Sequence, residues 1–206
     1  MRIAVVGGTG AFGRALALRL RKAGADVTIG SRDPARAASV ASELGVTGAT
    51  NGEAVRDADL IVLAVQADAA LATAGELASA IGSTPVLCVA SELRFAEDGV
   101  RPSPEARSLA ERVADVLSAP VVAGMHSLAA VTLGTDAAPD EDALVCGDDA
   151  AAKALALELV SGLVNGRAVD AGPLASARAL EGMTAVIVNV NKRYRAHAGV
   201  RFTGLP

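Results

Sequence analysis

Three glycines near the start of the chain, Gly8, Gly10 and Gly13, have the spacing G-x-G-x-x-G. They follow a predicted strand, 2–6, and precede a predicted helix, 11–23, which is the context in which this motif binds a dinucleotide pyrophosphate. The first glycine allows a tight turn, the second lets the backbone approach the pyrophosphate, and the third lets the helix lie close to the strand.

The helix that follows the turn would add unpaired N–H groups and a partial positive charge. The alternative is a glycine-rich turn that binds no ligand. We predict that the whole turn contributes to a dinucleotide site, namely Gly8, Thr9, Gly10, Ala11, Phe12 and Gly13.

The end of the second predicted strand, 26–30, indicates which dinucleotide binds. NAD-binding proteins usually place Asp or Glu here to hold the ribose hydroxyls, but this chain has Ser31 and Arg32, with no carboxylate before Asp33. Serine and arginine attract the 2′-phosphate of NADP, and Arg36 lies one helical turn beyond Arg32. The alternative is that both arginines are solvated residues at a helix start. The cofactor predicted from this pattern is NADP(H).

Short apolar runs alternate with amphipathic segments, which is typical of parallel strands joined by right-handed helical crossovers. We predict an α/β fold of the Rossmann type, with a mostly parallel sheet and helices on both faces. Ala64 and Val65, at the end of the strand 59–65, complete the predicted cofactor-binding residues. The other strands predicted are 2–6, 26–30, 86–90, 119–123, 143–146 and 167–170. The helices predicted are 11–23, 34–44, a short one ending at 55, one ending near 81, 105–117, 151–163 and 174–195; 92–104 and 134–142 are predicted loops.

Composition excludes several classes of protein. Hydrophobic residues make up 51% of the 206 residues and mean hydropathy is +0.40, which argues against disorder. The net charge of −4 and an aromatic content of 2% give no basis for a nucleic-acid partner. Cys88 and Cys146 are too few for a disulfide framework or a metal site, so both are predicted to be buried thiols. Without a leader or membrane span, we expect a cytoplasmic protein.

Several segments together resemble a known family, the NADPH-dependent reductases of the deazaflavin coenzyme F420. The opening, the end of the second strand and the third strand are similar to that family, at 1–10, 30–32 and 57–63. More specific are Val-Cys-Gly-Asp-Asp, Val-Asp-Ala-Gly-Pro-Leu and Ala-Arg, which keep the family's order and spacing at 145–149, 169–174 and 177–178. The resemblance covers nearly the whole chain.

The resemblance implies a Rossmann domain, 1–123, and a smaller C-terminal lobe, 124–206, that completes the sheet and the deazaflavin site. It implies a homodimer that exchanges hydride between NADPH and the small-molecule deazaflavin. The cofactors carry that reactivity, so no catalytic acid or base is predicted. The family uses the positions of Thr9, Ser31, Arg32 and Arg36 for the 2′-phosphate.

The resemblance also assigns the deazaflavin region. His126 matches a family histidine there, and we predict that Ser127 and Leu128 bind the substrate beside it. The alternative is a capping or core histidine. The basic C-terminal residues could meet the coenzyme's anionic tail or form a solvated helix end, with Tyr194 and Phe202 as dimer contacts; they are Lys192, Arg193, Arg195 and Arg201.

The chain departs from the family where prolines are expected, near Gln66, Ser91 and Leu128. These departures leave open an NADPH-dependent reductase of another acceptor, such as a flavin or an imine. A non-catalytic NADP sensor is the third hypothesis, because the nucleotide motif alone does not require turnover.

Overall fold

The computed structural model describes residues 1–205, which form one main sheet covered by helices and a separate hairpin. The strands are β1 Arg2–Val6, β2 Asp26–Ser31, β3 Thr47–Thr50, β4 Leu60–Leu63, β5 Val86–Cys88, β6 Leu93–Ala96, β7 Gly99–Pro102, β8 Val121–Gly124, β9 Ala143–Gly147 and β10 Ala168–Asp170. The helices are α1 Ala11–Lys22, α2 Pro34–Leu44, α3 Asn51–Ala54, α4 Ala67–Ile81, α5 Leu109–Val116, α6 Ala130–Leu133, α7 Ala150–Ser161 and α8 Ala177–Tyr194. A 3₁₀ turn, Leu174–Ser176, precedes α8.

The main sheet has eight strands in the order β10-β9-β8-β5-β4-β1-β2-β3. All neighbouring strands are parallel except β8 and β9, which run antiparallel. The prediction of a mostly parallel sheet with helices is confirmed. Strand β1 lies between β2 and β4, so the chain winds outward in both directions from it, and the crevice above its carboxyl end is where open α/β sheets bind ligands.

The core has two layers because the central strands are buried on both faces. All four residues of β4 are buried, and so are four of the five residues of β1. On one face, Leu16 and Leu20 of α1 join the same apolar cluster as Val160 of α7. On the other face, Leu77 of α4 and Val113 of α5 lie in a second cluster.

Local sequence signals fix several helix starts. Asp33 caps α2 by accepting hydrogen bonds from the backbone N–H groups of Ala35 and Arg36, with Pro34 at the first helical position, as predicted. The helix predicted from residue 105 instead begins at Leu109. A reciprocal capping box between Ser108 and Glu111 sets that start.

The predicted loop 92–104 is wrong, because β6 and β7 form an antiparallel hairpin there. The side-chain oxygen of Asn189 accepts from the Val100 N–H at 2.8 Å, and its amide donates to the Val100 carbonyl at 2.8 Å. The hairpin is therefore held against α8 by polar contacts. Such contacts do not require alternating apolar residues, so the sequence shows no strand pattern there. The edge strand β3 and the short helix α6 were not predicted either.

The predicted boundary at residue 123 falls inside β8, which pairs with β5 on one side and β9 on the other. One sheet therefore continues through both parts, and their division into a domain and a lobe stays a prediction. Cys88 and Cys146 are free and buried, as predicted, and burial raises their thiol pKa values to about 12 and about 11. Within residues 1–205, no helix is both long and apolar enough to span a membrane, and no cluster of metal-ligating side chains occurs.

Candidate functional site

Packing explains most of the glycines in the turn between β1 and α1. A Cβ on Gly8 would lie 2.5 Å from the Ile29 Cβ, and one on Gly13 would lie 2.5 Å from the Gly7 carbonyl oxygen. Gly10 differs, since the nearest atom to a Cβ there is the Gly7 oxygen at 3.4 Å. The fold itself does not require glycine at position 10. A bare backbone there leaves room for something outside the protein, as the motif predicts.

The first cavity opens above the carboxyl ends of β1, β2 and β4, with a volume of about 480 Å³. Gly10 caps α1 without a side chain, so no cap hydrogen bond occupies the N–H groups of its first turn. The residues around this cavity come from the glycine turn, the end of β2, α3 and the β4–α4 segment: Gly7, Thr9, Gly10, Ser31, Arg32, Asp33, Arg36, Asn51, Ala64, Val65, Gln66, Ala69 and Thr73.

Two arginines stand at the β2 side of this cavity. Arg36 donates to the Thr9 carbonyl at 3.4 Å, whereas Arg32 makes no ion pair or side-chain hydrogen bond within residues 1–205. Ser31 is buried, and its hydroxyl accepts from the Asp33 N–H at 3.2 Å. The Asp33 carboxylate is engaged in capping α2. The residues predicted for the 2′-phosphate are therefore adjacent, and the nearest carboxylate is held by helix N–H groups.

A second cavity, of about 360 Å³, continues from the first and shares Gly10, Ala64, Val65 and Gln66 with it. It extends along the same edge of the sheet, above the carboxyl ends of β5 and β8, and is lined mostly by apolar groups. The lining residues beyond the shared ones are Ala11, Phe12, Ala67, Val89, Ala90, Ser91, Leu93, Met125, His126, Leu128, Ala130 and Thr184. The two cavities form one continuous crevice.

His126 is 4% exposed, and neither ring nitrogen has a hydrogen-bond partner in the described part of the chain. Burial lowers the pKa of His126 to about 4, and the neighbouring Ala90 backbone opposes this only in part. The imidazole is therefore neutral at physiological pH. The main-chain carbonyl of His126 accepts from the Thr184 hydroxyl at 2.8 Å, and this hydroxyl lies 2.9 Å from the Ser91 hydroxyl.

The backbone just before His126 is strained. Met125 has a φ of 65°, a left-handed conformation that costs a non-glycine residue about 1–3 kcal/mol. The Met125 N–H donates to Leu144, and its carbonyl accepts from the Leu128 N–H, both at 3.0 Å. One hydrogen bond to strand β9 and one within the turn after β8 thus hold this conformation, and His126, the next residue, lines the second cavity.

Most of the predicted site residues line one of the two cavities or both. Thr9, Gly10, Ser31, Arg32, Arg36, Ala64 and Val65 line the first cavity, and Ala11, Phe12, His126 and Leu128 line the second. Gly8 and Gly13 shape the turn without lining either cavity. Ser127 does not face the crevice, because it is buried and donates to the Asp142 carbonyl at 3.2 Å. The roles of all the predicted site residues in ligand binding stay predictions.

Several lining residues were not predicted as site residues, among them Asn51, Thr73 and Thr184. No motif marks them, since the topology brings them to the crevice from distant segments. The basic C-terminus is dispersed: Lys192 lies 5.6 Å from the centre of the Phe95 ring, and Arg201 pairs with Asp140. Phe95 belongs to a third cavity that adjoins the second at Gln66 and Ser91.

A glycine turn at the switch point of a doubly wound parallel sheet, flanked by arginines at the end of β2, defines an NADP-binding protein of the Rossmann type. Comparison with known proteins supports this class. Residues 2–90 match a family model described as NADP oxidoreductase, coenzyme F420-dependent.

Two full-length relatives carry a more specific name. The F420-dependent NADP reductases of Methanothermobacter marburgensis and Methanothermobacter thermautotrophicus are 37% and 34% identical to this chain. The alignments cover 100% of this chain in both cases, and 100% and 96% of those proteins. A crystal structure of a candidate F420-dependent NADP reductase from Arthrobacter sp. FB24 superposes with a TM-score of 0.83 at 28% identity, covering 100% of both chains. The chain belongs to the family of F420-dependent NADP reductases.

Proposed function

We propose that this protein transfers a hydride between NADPH and coenzyme F420. The observation that carries the proposal is the continuous crevice, in which a polar cavity flanked by Arg32 and Arg36 meets an apolar cavity at Gly10 and Ala64–Gln66. A dinucleotide with its 2′-phosphate at the arginines and its pyrophosphate at Gly10 reaches the junction with its nicotinamide. The second ring then occupies the apolar cavity beside it.

The residues of the crevice supply position and a dry environment. The nicotinamide and the deazaflavin carry the hydride chemistry. Phe12, Val89 and Leu128 surround the second cavity with apolar groups, which exclude water and keep the two rings in contact. His126 is neutral, so it offers one nitrogen as a donor and one as an acceptor to a polar ring edge. Reduction of the deazaflavin also takes up one proton, which the solvent supplies, so no catalytic acid of the protein is needed in this scheme.

A homodimer fits the exposed face of α8. Val186 is 60% exposed and Tyr194 is 75% exposed, and the half-buried Val190 lies between them on the same side of the helix, at a spacing of four residues. An apolar stripe of this kind on a terminal helix suits a two-fold contact with a second copy of the chain.

A second candidate acceptor is favoured by one observation. Gln66 and Ser91, two of the positions where the chain departs from the expected prolines, both line the second cavity. They place polar groups where the acceptor ring would lie. A different acceptor, a flavin or an imine, is therefore the competing hypothesis for the same NADPH-dependent chemistry.

The test is the oxidation of NADPH by the purified protein with coenzyme F420, FMN, riboflavin and a cyclic imine as separate acceptors. We expect rapid loss of the visible absorbance of oxidised F420, and slow reaction with the others. Turnover with FMN or the imine but not with F420 would transfer the assignment to the competing acceptor. Tight NADPH binding without turnover of any acceptor would contradict both assignments.

A further inference from the structure

Two polar side chains in the first cavity make no hydrogen bonds within residues 1–205. The Asn51 Oδ1 atom is buried without a partner. Thr73 is 8% exposed, and its hydroxyl has no partner in that range, although a helical threonine ordinarily bonds the preceding turn. Buried polar atoms are usually satisfied, so the unpaired Asn51 oxygen, with the Thr73 side chain lining the same cavity, points to a ligand that satisfies it.

The two side chains line the same cavity from different helices. Asn51 begins α3, next to the carboxyl end of β2, and a Cβ on Gly30 would lie 2.7 Å from its Oδ1 atom. Thr73 lies on α4, one turn after Ala69, and both face the cavity. The four residues predicted to bind the 2′-phosphate are Thr9, Ser31, Arg32 and Arg36. None of them accounts for a ligand group in the part of the cavity that Asn51 and Thr73 line.

The covalent structure of NADPH decides which group occupies that space. The adenine is attached to C1′ of the ribose, next to the carbon that carries the 2′-phosphate, while the pyrophosphate leaves from the far side of the sugar. With the 2′-phosphate at Arg32 and the pyrophosphate at Gly10, the base extends past Arg32 toward α3 and α4. The unpaired groups of Asn51 and Thr73 lie there.

We infer that Asn51 recognises the adenine base of NADPH through its side-chain amide, with the Thr73 hydroxyl as a second contact. The inference rests on the proposed NADPH-dependent function. An asparagine amide matches adenine because its oxygen accepts from the 6-amino group while its nitrogen donates to the ring nitrogen N7. Rotation about the last side-chain bond of asparagine is broad, and no hydrogen bond fixes this amide, so it can turn to the base.

The test compares NADP⁺ with nicotinamide hypoxanthine dinucleotide phosphate, which carries an oxygen in place of the 6-amino group. Isothermal titration with the full-length protein measures the binding of each, without any acceptor. The native protein should bind NADP⁺ about tenfold more tightly than the hypoxanthine form, because the 6-oxygen and N7 of hypoxanthine are both acceptors, and the Asn51 amide then forms one hydrogen bond where adenine allows two, whichever way the amide turns.

In Asn51→Ala this preference should vanish, mainly through weaker binding of NADP⁺, and Thr73→Val should lower NADP⁺ affinity by a few-fold. Asn165→Ala, which removes an exposed asparagine contact to the Ala138 carbonyl outside the crevice, is the control and should keep the native preference. Thermal unfolding of each variant separates loss of contact from loss of fold.

An equal loss of affinity for both nucleotides in a folded Asn51→Ala protein would overturn the inference, and so would an unchanged preference. These outcomes differ from failure of the proposed function, since a native protein that bound neither nucleotide would contradict NADPH dependence itself.

Discussion

Arg32 is exposed at the end of β2 and has no acidic partner in the described chain, so its charge is available to a ligand. A charge-assisted hydrogen bond contributes about 1.5–3 kcal/mol, less when solvent reaches it. We expect Arg32→Ala to weaken NADPH binding by about ten- to thirtyfold while NADH binding changes little.

Fluorescence titration with both nucleotides measures the effect of Arg32→Ala. Arg56→Ala removes an exposed arginine that lies outside both cavities and should leave both affinities unchanged. Equal losses for NADPH and NADH in Arg32→Ala would show that this arginine does not contact the 2′-phosphate.

His126 should make stability depend on pH. Its pKa is about 4 in the folded protein and about 6.5 in the unfolded chain, so the unfolded state binds the additional proton between these values. Above pH 6.5 His126 therefore does not lower the free energy of unfolding. As the pH falls toward 4, the free energy of unfolding decreases by about 3 kcal/mol at most.

Urea unfolding of the native protein and of His126→Gln at several pH values between 7 and 4 would measure this contribution. The native protein should lose more stability on acidification than the variant does. Parallel pH profiles for the two proteins would contradict the assignment of a neutral, buried imidazole.

The turn between β1 and α1 allows its glycines to be separated by function. Gly13→Ala should lower the free energy of unfolding by about 1–3 kcal/mol, because the new Cβ would lie 2.5 Å from the Gly7 oxygen. Gly10→Val should fold with little loss and weaken NADPH binding by about ten- to a hundredfold, since its side chain enters the path of the pyrophosphate. Thermal unfolding and nucleotide titration of both variants check the contrast; a stable Gly10→Val protein with native affinity would leave the motif a purely structural role.

The elements that sequence patterns predicted are those with strong local signals. The strand β1 and the glycines after it, and the Asp33–Pro34 start of α2, have the expected form. The hairpin of β6 and β7 was missed because three of the four residues of β6 are exposed, so no alternation of apolar residues marks it. Its position depends on Asn189, nearly ninety residues later in the chain.

At the scale of the whole molecule, sequence patterns likewise predict only those parts of the site that have a strong local signal. The residues predicted for the nucleotide half lie near one motif and the end of the next strand, whereas Asn51 and Thr73 reach the same cavity from later elements and were missed. The second cavity combines β4–α4, the segment after β5, the turn after β8 and α8. These segments come together only through the order of the strands in the sheet, so Thr184 was missed. For the same reason, the sequence does not show that Ser127, adjacent to His126, faces away from the crevice.

The exposed stripe on α8 predicts the oligomeric state. We expect the native protein to have the mass of a dimer in light scattering at micromolar concentration, and Val186→Glu to shift it to the monomer, because a buried unpaired carboxylate destabilises an interface by several kcal/mol, about 3–5. Val131→Glu, at an exposed position on α6, should remain dimeric. A native monomer, or two variants that behave alike, would contradict the placement of the interface on α8.

Direct transfer between two rings in a dry crevice is the central claim, and isotope transfer tests it most directly. NADPH carrying deuterium at one face of nicotinamide carbon 4 would be oxidised with F420 in ordinary water, and the reduced coenzyme analysed by mass spectrometry. For one of the two labelled forms we expect the deuterium to appear in the reduced deazaflavin without dilution by solvent hydrogen. Loss of the label to water from both forms, or no reduction of F420 at all, would contradict the account.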